Sequence, residues 1–246
     1  MDANKTYCMN CFSAMDVPGE PCAHCGWKDE GQMKNALPYG TLLGGKYLIG
    51  QATRINGAGI TYAALEKDTN QKVEVREFLP NTLAFRAPNG LSVKPAAGAE
   101  LKYDDYLSEF ERYTQKLIRV SGTKRMMTVL DTFSENNTQY VVFLYVESVS
   151  LRSYVEAHGL LSWADCEQYF TPVIYALGAI HSQNVEHLGI SPETLRITPD
   201  GKLILTDFEM QSVRRAGTDL IEDIYPGCWA IEQYSKTKVC DEVTDV

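Results

Sequence analysis

Short apolar runs at 47–53, 59–66 and 72–78, separated by a Gly-containing turn and by Asp68-Thr69-Asn70, predict three strands. The spacing then changes. Over 101–120 apolar residues, Leu107, Phe110, Leu117 and Val120 among them, recur at helical intervals, which predicts one helix. Two more strands are expected at 126–133 and 139–146, and the second is so apolar that it reads as buried. Helices follow at 150–157 and 163–181, the latter with Ser162 as N-cap. Strands at 194–198 and 202–206 flank a Pro199-Asp200-Gly201 turn. The order is five strands with one helix inserted, then helices and a small hairpin. No internal repeat is visible.

Residues 1–30 stand apart. They are rich in Cys, Gly and Pro and show no period long enough to build a core, and 31–40 (GQMKNALPYG) reads as a linker. Cys8-Met9-Asn10-Cys11 and Cys22-Ala23-His24-Cys25 form two CxxC pairs, the second followed by Gly26. Each pair directs two thiolates at one ion from a tight turn, and four thiolates in a closed tetrahedron favour structural zinc. So short a segment needs the metal for its folding energy. A redox dithiol pair or two disulfides is the competing reading, disfavoured by the doubled spacing. His24 is read as solvent-facing or beside the ligands rather than as a fifth ligand.

The chain has seven cysteines, and the scattered Cys166, Cys228 and Cys240 read as reduced thiols. A net charge of −9 gives no general attraction for nucleic acid or an anionic membrane. No apolar run approaches the ~20 residues that span a bilayer. The first ten residues carry no signal-peptide core, so a cytoplasmic location is expected.

From about Leu37 to Val246 an ordered series of motifs appears: LPYGTLLGGKYLIG, GITYAAL, VEVREFLP, NNTQYVVFLYVE, VEHLGISPETLRIT, LILTDFEM and PGCWAIEQY. Together they resemble the bacterial eukaryotic-like serine/threonine protein kinases, in particular those with an N-terminal zinc ribbon. The resemblance implies an α+β fold: a zinc ribbon (1–30), a linker (31–40), a five-stranded N-lobe (41–143), and a partial helical C-lobe (144–246). Val243–Val246 resembles the start of the large central C-lobe helix; absence of the remaining helices is expected to expose apolar surface.

The same resemblance locates the groups that phosphoryl transfer requires. Two glycines of the phosphate loop are Arg54 and Asn56 here. The strand lysine is Arg76, and the helix glutamate is placed at Glu109, with Glu111 close by. The catalytic aspartate is Gly189, in His187-Leu188-Gly189. The magnesium asparagine is Thr194, and Ser191 takes a position that is lysine in most kinases. Asp207 survives, followed by Phe208 and Glu209. Glu186 and Glu193 flank the loop without reading as a substitute base, and His187 is expected beneath it as a structural residue. His181 reads as a helix C-terminal cap, and Arg214-Arg215, in an activation segment of about 207–232, as a solvated basic pair. Leu188 replaces the arginine that gathers a phosphorylated residue.

The expectation is a pseudokinase that regulates or scaffolds through a protein partner. Its zinc would be structural, and ATP with magnesium would bind weakly or not at all. Arg76, Glu109 and Asp207 would be a degenerate nucleotide cleft, with Arg76 turned to one of the two acids. The competing readings are a nucleotide-using enzyme with rearranged residues and a structural module of a larger protein.

Overall fold

Alternation in the strand sequences builds the first of two units, formed by the chain up to Leu107 together with Asp131–Tyr145. The structure is a computed structural model and describes residues 6–15, 17 and 19–246. A small pair, β1 (Thr6–Tyr7) and β2 (Ala14–Met15), belongs to the cysteine module. The main sheet is six-stranded. Its strands are β3 (Leu42–Leu43), β4 (Tyr47–Ile55), β5 (Gly59–Glu66), β6 (Gln71–Phe78), β9 (Val129–Glu135) and β10 (Thr138–Leu144), in the order β3-β4-β5-β6-β10-β9. The expected five are present, and the two-residue β3 is additional. The run expected at 126–133 is displaced: Met126 instead makes an isolated parallel bridge to Leu205.

One face of this sheet carries Tyr47, Ile49, Ile60, Tyr62, Val73, Val75, Tyr140 and Val142, all at most 1% exposed. Phe133 stacks on Tyr47 and on Tyr140, with ring centroids 5.8 and 5.2 Å apart. Leu37, from the segment that reads as a linker, is fully buried in the same cluster. A short hairpin, β7 (Ala84–Arg86) and β8 (Val93–Pro95), was not foreseen. It brings Arg86 to Glu77, which has no exposed surface. The Glu77 carboxylate also accepts the hydroxyls of Tyr62 (2.8 Å) and Tyr140 (2.7 Å). Burial, then the Glu77 charge, pushes both tyrosines well above the ordinary phenol range.

Helix α1 (Glu100–Val120) runs from the first unit into the second, which comprises Ser108–Leu130 and Val146–Val246. Here lie β11 (Val149–Ser150), α2 (Leu151–His158), α3 (Trp163–His181), β12 (Leu195–Ile197) and β13 (Leu203–Leu205). The strands form one small sheet, β11-β12-β13. Ser162 caps α3 as expected, in a reciprocal box with Asp165. Among the described residues no helix is long and apolar enough to cross a membrane.

Candidate functional site

Four cysteines converge in the first unit. The sulfurs of Cys8, Cys11, Cys22 and Cys25 all lie within 4.8 Å of one another. Cys8–Cys25 is 3.7 Å and Cys11–Cys22 is 3.6 Å. A tetrahedron with Zn–S arms of ~2.3 Å has edges of about 3.8 Å, and a disulfide would need about 2 Å, so the donor set fits a metal ion. The two knuckles are built alike. Phe12 and Gly26, each following the second cysteine of its pair, have φ of 62° and 72°. Their amides donate to the carbonyls of Cys8 (2.9 Å) and Cys22 (2.7 Å). The left-handed turn suits Gly26 and is costlier at Phe12.

The turn between β4 and β5 is closed on itself. Asn56 Oδ1 accepts the amides of Ala58 and Gly59, each at 3.0 Å, and the Asn56 amide donates to the Gly59 carbonyl at 2.9 Å. An oxygen of the protein thus occupies amides that a phosphate loop would turn to its ligand. Gly59 has a packing role: a Cβ there would lie 1.9 Å from the Glu77 carbonyl oxygen. Arg54 is half-buried on β4. Arg76, on β6, is 5% exposed, with its guanidinium carbon 5.1 Å from the Phe143 ring centroid. Glu74 lies two residues earlier and shares that face of the strand.

In the second unit a buried arginine packs against the loop that carries Gly189. Arg214 has no exposed surface, which overturns the expectation of a solvated basic pair. A Cβ on Gly189 would stand 2.7 Å from Arg214 Cζ. An aspartate at 189 would therefore require the buried Arg214 side chain to shift. Arg214 Nη2 is 3.8 Å from Asp207 Oδ2, and Nη1 is 3.4 Å from Asp223 Oδ2. The guanidinium also donates to the carbonyls of Asp207 and Asp223. Asp207, at φ 68°, accepts the Tyr225 hydroxyl at 2.7 Å. Gln233 Nε2 ties the segment together by donating to the carbonyls of Leu188 (2.8 Å) and Arg214 (2.6 Å). Arg215 is likewise engaged, by the carbonyls of Ser235 and Lys236 at 3.0 and 2.8 Å.

The other predicted positions have local partners. Glu109 accepts from the amide (3.1 Å) and hydroxyl of Ser212. Thr194 donates its hydroxyl to the Gly189 carbonyl (2.9 Å) and accepts the Ser191 amide (2.9 Å), so it braces the loop. Glu209 is 1% exposed. Glu186 lies 3.8 Å from Lys116, and Glu193 pairs with Arg152. Asp207, Glu109 and the catalytic-loop positions share the second unit, whereas Arg54, Asn56 and Arg76 belong to the first.

Asp245 holds the loop from behind. Its carboxylate accepts the amides of His187 (2.8 Å) and Leu188 (2.6 Å) and meets His181 Nε2 at 2.9 Å. His181 therefore reaches Asp245, which corrects its reading as a helix cap. Leu188 is kept at φ 56°, a strained conformation for leucine.

His187 lies beneath the loop as expected, fully buried, edge-on to Phe208 at 4.5 Å. Nε2 donates to the Thr206 carbonyl (2.8 Å), and Nδ1 accepts the Gly189 amide (3.2 Å). Both nitrogens are satisfied only in the neutral ring. Burial, reinforced by the Arg214 charge, lowers its pKa from 6.5 to about 4. The folded chain resists a proton that the unfolded chain accepts. The stability this gives is complete above pH 6.5 and falls toward pH 4, by about 1.4 kcal/mol per pH unit. The stability gap between this chain and His187→Gln should shrink over that window in denaturant titrations; a constant gap would contradict the assignment.

The protein kinase domain family matches residues 96–224. A probable serine/threonine-protein kinase of Clostridium acetobutylicum is 21% identical over 183 residues, covering 73% of this chain and 24% of that protein. Serine/threonine-protein kinase B of Synechocystis is 36% identical over 100 residues, covering 40% of this chain and 17% of that one. The chain thus spans about a quarter or less of the length of these relatives. A solved structure titled "PpkA-294 apo form" shares the fold, with a TM-score of 0.64 at 22% identity, covering 73% of this chain and 64% of that one. With a family match over more than half of its length, the chain belongs to the protein kinase domain family.

Proposed function

We propose that this is a catalytically inactive kinase-fold protein that regulates or scaffolds a protein partner, carrying a zinc ribbon at its N-terminus. The observation that carries the reading is Arg214, buried where a carboxylate at position 189 would stand and paired with Asp207. Phosphoryl transfer depends on positioning and charge neutralisation. Gly189 supplies no proton acceptor, and Thr194 spends its hydroxyl on the loop. Asn56 covers two phosphate-loop amides. In this reading Arg76, Glu109 and Asp207 are the remnant of a nucleotide-binding set, and ATP with magnesium binds weakly or not at all. Cys8, Cys11, Cys22 and Cys25 would hold one zinc ion, which supplies cross-linking and no chemistry. In this reading the protein acts in the cytoplasm, through protein contacts.

The test combines metal analysis, an ATP–magnesium thermal-shift titration and a phosphotransfer assay on the full chain. About one zinc per chain is expected, with no transfer above that of Asp207→Ala. Robust transfer abolished by Asp207→Ala would overturn the inactive reading in favour of a rearranged nucleotide-using enzyme. Micromolar, magnesium-dependent ATP binding without transfer would overturn only the binding half.

A further inference from the structure

The first cysteine knuckle faces two ways. Its sulfurs, on Cys8 and Cys11, meet those of Cys22 and Cys25. Its backbone and the residue after it meet the sheet. Met9, between the two cysteines, accepts the Gln51 amide at 2.7 Å. Phe12, directly after Cys11, is 8% exposed and packs with Leu48, Ala63 and Leu65.

Strand β4 is shaped to receive both. Its register against β5 shifts between Ile49 and Ala52. Such an irregularity releases an amide from the ladder, and the Gln51 amide goes to Met9. Gly50 offers no side chain. A Cβ there would lie 2.1 Å from the Met9 carbonyl oxygen and 2.8 Å from the Phe12 ring. Gln32 holds the same stretch by donating to the Gly50 carbonyl (2.9 Å) and accepting the Ala52 amide (3.0 Å). Ala63 pairs with Glu74, and Thr61 with Arg76. Directly paired residues share a face of a sheet, so Phe12 rests on the face that carries Arg76.

We propose that metal binding by the four cysteines and docking of the first knuckle on Gly50 form one coupled equilibrium. The loaded module is a brace across β4 and β5, the strands that enter and leave the Asn56 turn. This rests on the metal reading above. Without an ion, so small a module has no core of its own, and Met9 and Phe12 lose the geometry that fits them to the strand. The coupling is reciprocal: blocking the dock weakens metal binding by the factor by which metal loss weakens the dock.

The experiment is hydrogen–deuterium exchange on the full chain, zinc-loaded and chelated, for the wild type, Gly50→Val and Phe12→Ala. Chelation should speed exchange at the Gln51 amide by about tenfold, a coupling of ordinary size. Gly50→Val should show that fast exchange with zinc bound, and should lose zinc to a competing chelator at about tenfold lower chelator concentration. If Gly50→Val fails to fold, Phe12→Ala, which leaves the strand unaltered, makes the same comparison. Equal protection of Gln51 with and without zinc in the wild type would overturn the coupling alone. So would full protection in a folded docking variant. A chain that takes up no zinc would overturn the metal reading, and the coupling with it.

Discussion

Replacing Arg86 with alanine is expected to lower the stability of the first unit by about 3–5 kcal/mol, the usual cost of stranding a buried charge. Glu77 has no exposed surface, and the Arg86 side chain is 7% exposed. Arg86 grips both oxygens of Glu77 and also donates to the carbonyls of Asn35 (3.0 Å) and Leu91 (2.6 Å). Removing the cation leaves a buried carboxylate supported, among the described residues, by the hydroxyls of Tyr62 and Tyr140. Removing both charges, as in Glu77→Leu with Arg86→Leu, should cost less than Arg86→Ala alone, because no uncompensated charge remains. Chemical denaturation of the three chains decides this. A double variant as unstable as the single one, or worse, would mean that the pair itself carries the stability.

Placing an aspartate at position 189 should also do harm. Gly189→Asp is expected to destabilise the chain by about 1–3 kcal/mol through overpacking and to give no phosphotransfer. The new Cβ would meet Arg214 Cζ at 2.7 Å, and Arg214 is enclosed by Asp207, Asp223 and Tyr225. Arg214→Ala alone should also destabilise, since it removes a buried cation that faces two acids and two carbonyls and opens a cavity. Together the two substitutions should cost less than their sum by more than about 1 kcal/mol, because the smaller side chain makes room for the larger. Strict additivity would mean that Gly189 and Arg214 do not compete for the same space.

The main strands and α1 were legible because their apolar spacing is regular, and the motif order pointed to the kinase fold. The β7–β8 hairpin is not legible as a strand pair, although its turn carries Asn89-Gly90, a strong hairpin signal. Its strands have only three residues each, too few to show a period. The four cysteines were readable from spacing alone, since a knuckle is a local structure. Arg214 was not. A pair of adjacent arginines reads as solvated unless one knows that a glycine, distant in sequence, has left room for one of them. The same holds for Asp245, whose carboxylate serves a loop far back in the chain. The bond from Asn56 to its own turn was within reach, because asparagine side chains commonly accept amides two or three residues on.

Gln32 fixes the chain against β4, and only residues 26–31 separate it from Cys25. A tether so short holds the cysteine module near its seat at an effective concentration in the millimolar range. A contact with an intrinsic dissociation constant of that order would already be about half formed. One backbone hydrogen bond and one aromatic ring therefore need only a modest intrinsic affinity to seat the module. A competitor arriving from solution would have to match that local concentration, or bind far more tightly than the module does.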